Sequence, residues 1–86
     1  MRVVFSDKAE KQFLRLDKAV QTQIKKFILK LQELEDPRER GKRLVGNFSG
    51  FWRYRVGDYR ILCRIQDDAL EILVVEVGHR KNVYGQ

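Results

Sequence analysis

Hydrophobic periodicity changes once along this chain, and the change falls at Asp36-Pro37. Before it, Val20, Ile24, Phe27, Ile28, Leu31 and Leu34 recur at steps of three and four, the stripe of an amphipathic helix. After it come FWRYRV, YRILCRIQ and LEILVVEV, short blocks that alternate or run apolar as strands do. Proline has no amide proton and drives its predecessor out of the helical region, so the helix must stop there. A chain with helical periodicity first and strand periodicity later is expected to lay helices against an antiparallel sheet.

Smaller signals fill in the order. Val3-Val4-Phe5 reads as a short first strand. Ser6 is a good N-cap, and Asp7 and Glu10 put negative charge in the first helical turn. Ala9, Phe13 and Leu16 then share one face, predicting a helix of about three turns. Asp17 restarts the pattern as a second cap, so two helices form a hairpin with a common apolar face. Gly57-Asp58 between alternating runs signals a tight hairpin, and Asp67-Asp68 marks the next turn. The expected fold class is therefore α+β: an N-terminal strand, a two-helix hairpin, then a three-stranded antiparallel meander with both helices on one face. The first strand joins that sheet as an edge or central partner. At 86 residues the chain reads as a single domain, residues 1–86. The segment PRERGKRLVGNFSG, 37–50, is rich in glycine and cations but lacks the spacing and Lys-Ser/Thr ending of a P-loop, so it reads as a solvated connector.

No apolar run approaches the ~20 residues of a bilayer span, and Met1-Arg2 leads into a strand rather than a signal-peptide core. The single cysteine, Cys63, cannot form an internal disulfide and reads as a small buried hydrophobe. The expectation is a cytoplasmic protein with no membrane contact.

Lys and Arg number 18 against 12 Asp and Glu, a net charge of +6 that suits polyanionic or acidic partners. From Leu44 onward the basic residues are arginines except for Lys81. Arginine presents a planar fork matched to phosphate. Strand alternation puts Trp52, Tyr54 and Val56 on one face and Arg53 and Arg55 on the other. In the next run Tyr59, Ile61, Cys63 and Ile65 face the core, and Arg60, Leu62 and Arg64 oppose them. In the last, Leu73, Val75 and Val77 are expected inward, with Ile72, Val74 and Glu76 outward. The same parity carried past Gly78 sends Arg80 to the open face and His79 to the helix side. A solvated, charged sheet face is the plain alternative. However, five arginines faced by Glu76 alone are a like-charge surplus, destabilising until an anion relieves it. A phosphate-bearing ligand is expected, and the ending GHRKNVYGQ reads as one wall of its site.

These residues also carry a likeness. LVGNFSGFWRYRVGDYRILCRI followed by VEVGHRKNVY resembles the RelE-type toxins of bacterial toxin–antitoxin systems, within the RelE/ParE superfamily, over nearly the whole chain. The resemblance implies a small endoribonuclease that enters the ribosomal A site and cuts mRNA. The family's catalytic positions fall on Arg53, Arg55, Arg60, Arg80 and Tyr84. Some relatives carry Lys where this chain has Arg53 and Arg55, and an arginine that stays charged is a poor proton carrier. Many relatives continue past the tyrosine into a further helix. With Gly85-Gln86 ending this sequence, neutralisation by displacing such a helix is not expected.

One His and one Cys do not make a zinc site, so neither metal nor cofactor is expected. The substrate's own 2′-OH would be the nucleophile, leaving the protein to align it and balance phosphoryl charge. Arg60 and Arg80 are the expected charge-balancing pair. Arg53 and Arg55 would hold neighbouring phosphates or assist the leaving group, and Arg64, Lys81 and His79 would contact RNA. Either a structural or a proton-transfer role fits His79. Tyr84 is assigned to base stacking or proton abstraction. The resemblance also implies partners: a cognate acidic RelB-like antitoxin, the ribosome and mRNA, and operator DNA reached through the toxin–antitoxin pair. Two rival readings stand beside the nuclease: a ParE-like inhibitor of DNA gyrase, and a plain basic binding module.

Overall fold

The structure, a computed structural model, describes residues 1–82. Strand β1 (Arg2–Phe5) leads into helices α1 (Asp7–Leu14) and α2 (Lys18–Glu33). Strand β2 (Lys42–Arg43) precedes β3 (Trp52–Val56), β4 (Tyr59–Gln66) and β5 (Glu71–His79). The sheet runs β1-β5-β4-β3-β2. Its β3-β4-β5 part is the antiparallel meander, β1 joins as an edge parallel to β5, and β2 extends the other edge. This is the expected α+β class, with a further two-residue strand that the sequence pattern is too short to reveal.

The helix signals act as anticipated at Ser6, whose Oγ accepts the Ala9 N–H at 3.1 Å. Asp17 caps by position alone, its carbonyl accepting the Gln21 N–H at 2.9 Å, and its side chain makes no cap bond. Helix α1 ends at Leu14, and Arg15 and Leu16 close its end through tighter bonds to Gln12 and Phe13 carbonyls. Buried Gln21 locks the hairpin, its Nε2 donating to the Leu16 carbonyl at 2.9 Å and the Leu14 carbonyl at 3.3 Å. Those two carbonyls have no partner within α1, so Gln21 satisfies the helix end that it packs against.

Ala9, Phe13, Ile24 and Leu31 from the helices meet Tyr54, Ile61, Cys63, Ile72, Val74 and Val77 from the sheet. Two of these correct the expected phase of β5. Ile72 and Val74, anticipated outward, are core, whereas Leu73 and Val75, anticipated inward, are only half-buried. The cause is a β-bulge: Leu62 pairs with Glu76 but the next residue, Cys63, pairs with Val74. One extra residue in β5 lets Val74 and Val77, three apart, share a face. Beyond the bulge the parity is as expected, so the side assigned to Gly78 and His79 holds.

The stretch between α2 and β3 is more than a solvated connector. It contains short 3₁₀ turns at Pro37–Arg40 and Gly46–Phe48, and Pro37 is fully buried. Its carbonyl accepts the buried Tyr54 hydroxyl at 2.8 Å. Among the described residues no helix is long and apolar enough to cross a membrane.

Candidate nucleic-acid interface

The sheet face turned away from the helices is built by the β3-β4 hairpin. Gly57 adopts φ 60° at the first position of its two-residue turn, a conformation that glycine reaches without strain. That turn fixes the register as Val56 opposite Tyr59 and Arg55 opposite Arg60. Cross-strand partners point to the same side, so two guanidinium groups are set next to each other. Arg53 pairs with Leu62 on one side and Lys42 on the other, extending the row of cations on to β2. Opposite Arg60 on β5 stands Gly78.

Leu62 shows what lies across this surface. It is only 3% exposed although among the described residues no helix packs on its side, and its register and strand neighbours are Arg53, Arg60, Arg64 and Glu76. The Nε atoms of Arg53 and Arg60 are themselves buried.

Arg80 follows the last residue of β5, and its backbone N–H donates to the Asp58 carbonyl at 2.8 Å. The bond ties the end of β5 to the β3-β4 turn and seats Arg80 beside the end of the hairpin that carries Arg55 and Arg60. Arg64 shares the face but lies towards its other end, with its guanidinium 5.4 Å from the Phe51 ring centroid. Lys81 is exposed in the turn after β5. His79 sits on the helix side, edge-on to Tyr59 at 5.5 Å, with Nδ1 accepting the Lys81 N–H at 3.2 Å. The hairpin thus brings Arg53, Arg55 and Arg60 together with Arg80 near, while Arg64 and His79 are engaged elsewhere. Tyr84 lies outside the described residues.

Two carboxylates of β5 have cations beside them. Glu71 forms an ion pair with Arg2, and Glu76 lies 4.0 Å from Lys8 of α1. Lys8 reaches Glu76 because α1 takes over the edge of β5 where β1 stops: Phe5 pairs with Val74, and the Val77 N–H donates to Gln12 Oε1 at 2.8 Å. Sequence reasoning on the strands alone missed Lys42 and Lys8. Neither follows from a periodicity, since one depends on a two-residue strand and the other on how a helix docks. Among the described residues no three His, Cys, Asp or Glu side chains come together to hold a metal ion.

The family model for the ParE toxin of type II toxin–antitoxin systems matches residues 3–84. The chain belongs to this toxin family. No curated protein sequence matches it. Among solved structures, this ParE-family toxin is similar to the Mycobacterium tuberculosis RelBE2 toxin–antitoxin complex, at 28% identity and TM-score 0.82, over 92% of this chain and 96% of that one. The Pyrococcus horikoshii RelE–RelB complex aligns at 25% identity and TM-score 0.74, over 95% and 97% of the two chains. The intact Escherichia coli RelBE complex shares the fold at 20% identity and TM-score 0.73, over 91% and 94%. The protein is a toxin of the RelE/ParE superfamily.

Proposed function

We propose that this toxin is a ribosome-dependent endoribonuclease that cuts mRNA in the A site and so arrests translation in the cytoplasm. The observation that carries the reading is the Arg55–Arg60 pair across the β3-β4 hairpin, extended by Lys42 and Arg53. Like charges set side by side have a use when a phosphate lies between them.

The chemistry asks little else of the protein. The 2′ oxygen gives up its proton and attacks the adjacent phosphorus, the P–O5′ bond breaks, and the departing 5′ oxygen takes a proton from solvent, so that a 2′,3′-cyclic phosphate and a 5′-hydroxyl result. Charge grows on the phosphoryl oxygens, where Arg60 and Arg80 would balance it. Arg53 and Arg55 would hold neighbouring phosphates or steady the leaving oxygen, and Arg64 and Lys81 would contact the strand further out. Tyr84 would stack on a base or accept the 2′ proton. His79, held by Tyr59 and the Lys81 amide, is better suited to shaping the turn that carries Arg80 than to moving protons. No step draws on a metal or cofactor. The M. tuberculosis RelBE2 structure is a toxin–antitoxin complex and the P. horikoshii structure a RelE–RelB complex, and a RelB-like antitoxin with an acidic segment is the partner proposed here. The pair would reach operator DNA through that antitoxin.

A second reading, inhibition of DNA gyrase without RNA cleavage, is favoured by the ParE description of the matching family model. A reconstituted translation reaction and a gyrase supercoiling assay separate the two. The nuclease reading expects mRNA ends within the A-site codon, and a loss of about 10²-fold or more when Arg60→Ala and Arg80→Ala are combined. Intact mRNA together with blocked supercoiling would establish the gyrase reading instead. Undiminished cutting by a folded double variant would remove Arg60 and Arg80 from the site.

A further inference from the structure

The segment between α2 and β3 carries Arg40, a cation that no role has yet used, and Lys42, which extends the arginine row. With Phe27, Gly41, Arg53 and Arg55 they line a groove of about 280 Å³ at the outer edge of β3. Its origin is topological. Strand β2 pairs with only Trp52 and Arg53, after which the chain peels away through Gly41 into the 3₁₀ turn and leaves a cleft beside Tyr54–Val56. Four of its six lining residues are cationic, and Arg53 and Arg55 belong equally to the arginine face. Groove and face are therefore one continuous basic surface.

What separates this groove from an ordinary basic loop is how firmly its wall is fixed. Pro37 is buried with its carbonyl bonded to Tyr54, and Arg38 lies 5.9 Å from the Trp52 ring centroid while pairing with Asp36 at 3.3 Å and Asp67 at 2.7 Å. Gly41 is pressed so closely on Tyr54 that a Cβ there would lie 3.0 Å from the ring. Asp36 and Asp67 are thus occupied by Arg38, outside the groove lining. Cations on an anchored segment lose little freedom on binding, which is where preorganised sites gain affinity.

We infer that this groove is a backbone subsite for single-stranded RNA, in which Arg40 and Lys42 hold a phosphate next to the one held by Arg53 and Arg55. The inference rests on the nuclease reading and extends it. RNA leaving the arginine face across β3 passes directly over Lys42 and Arg40, and the Phe27 edge offers apolar surface for a sugar or base. Arg40 and Lys42 take no part in bond making, so they act on binding and not on the chemical step.

The test compares the wild-type toxin, Arg40→Ala/Lys42→Ala and a control of equal charge loss on the helices, Lys11→Ala/Lys18→Ala. Lys18 stands nine residues before Phe27, about 13 Å along α2. The probe is a short 2′-O-methyl RNA, which cannot be cut, titrated by fluorescence anisotropy over a range of salt. The groove variant is expected to bind roughly tenfold more weakly and to lose about 1.4 from the log–log salt slope, the share of two phosphate contacts on a single strand. In ribosomal cleavage it should raise KM and leave kcat unchanged, with the control matching wild type in both assays. Equal affinity and slope in the groove variant and wild type would overturn the subsite while leaving the nuclease intact. A wild type that binds the probe through the groove but cuts no mRNA would sink the nuclease and keep the subsite. Loss of binding to a polyglutamate peptide with RNA binding unchanged would reassign the groove to a protein partner and overturn the proposal.

Discussion

Two residues in the core make the fold sensitive to alkali. Burial pushes both the Cys63 thiol and the Tyr54 hydroxyl well above their ordinary values. Both are neutral when protonated, so the native chain keeps protons that the unfolded chain releases. The stability they contribute is whole below the unfolded values, ~8.5 for Cys and ~10 for Tyr, and falls as pH rises through and beyond them. Unfolding free energy from urea melts should hold steady from pH 7 to 8. It should then fall by about 1.4 kcal/mol per pH unit once Cys63 is engaged, and about twice as steeply above pH ~10. A flat profile to pH 11 would show that these groups ionise in place. The reading of Cys63 as a buried hydrophobe follows from its alternating neighbours, and it occupies the core with no exposure. The role of Tyr54 was half legible. Parity placed its ring inward, but nothing in the sequence marks its bond to a carbonyl seventeen positions earlier.

Elements with one strong period were legible, and those without were not. Helix α2 was visible in its stripe and its terminating proline, and β3 and β4 in arginines alternating with aromatics and aliphatics. Strand β5 defeats the same reasoning because Ile72, Leu73, Val74 and Val75 are all apolar. Either phase satisfies the hydrophobic pattern there, and only a polar residue beside the bulge could have revealed the slip. The segment 37–50 has no period, so its anchors came from tertiary contacts alone. Gly41 is the clearest of them. Its φ of −101° is open to any residue, and only the nearness of Tyr54 and Trp52 excludes a side chain. Gly41→Ala should therefore destabilise the fold by about 1–3 kcal/mol through overpacking. It should also loosen the groove wall, raising proteolytic cleavage near Arg40. A variant as stable as wild type would mean that the two rings give way freely.

For the molecule as a whole, the basic face puts stability in conflict with binding. Arg55 and Arg60 face each other across the hairpin, and the chain carries +6 overall, so the ligand-free protein holds charge that opposes its own folding. This surplus was visible from alternation because β3 and β4 are in plain register. Its continuation to Arg40 and Lys42 was not, because that depends on where a nonperiodic segment docks. Removing one of the facing charges should help the fold and harm its use. Arg55→Gln is expected to raise stability by about 0.2–1 kcal/mol at low salt, the range for relieving a like-charged cross-strand pair. The gain should shrink as salt screens the repulsion. Binding of RNA to the native state raises Tm through mass action, so the RNA-induced increase should be larger for wild type than for Arg55→Gln. Thermal melts with and without the 2′-O-methyl probe give both quantities in one series. If Arg55→Gln proved less stable than wild type and equally stabilised by RNA, Arg55 would be a structural residue. The arginine face would then lose its claim to be shaped for a phosphate.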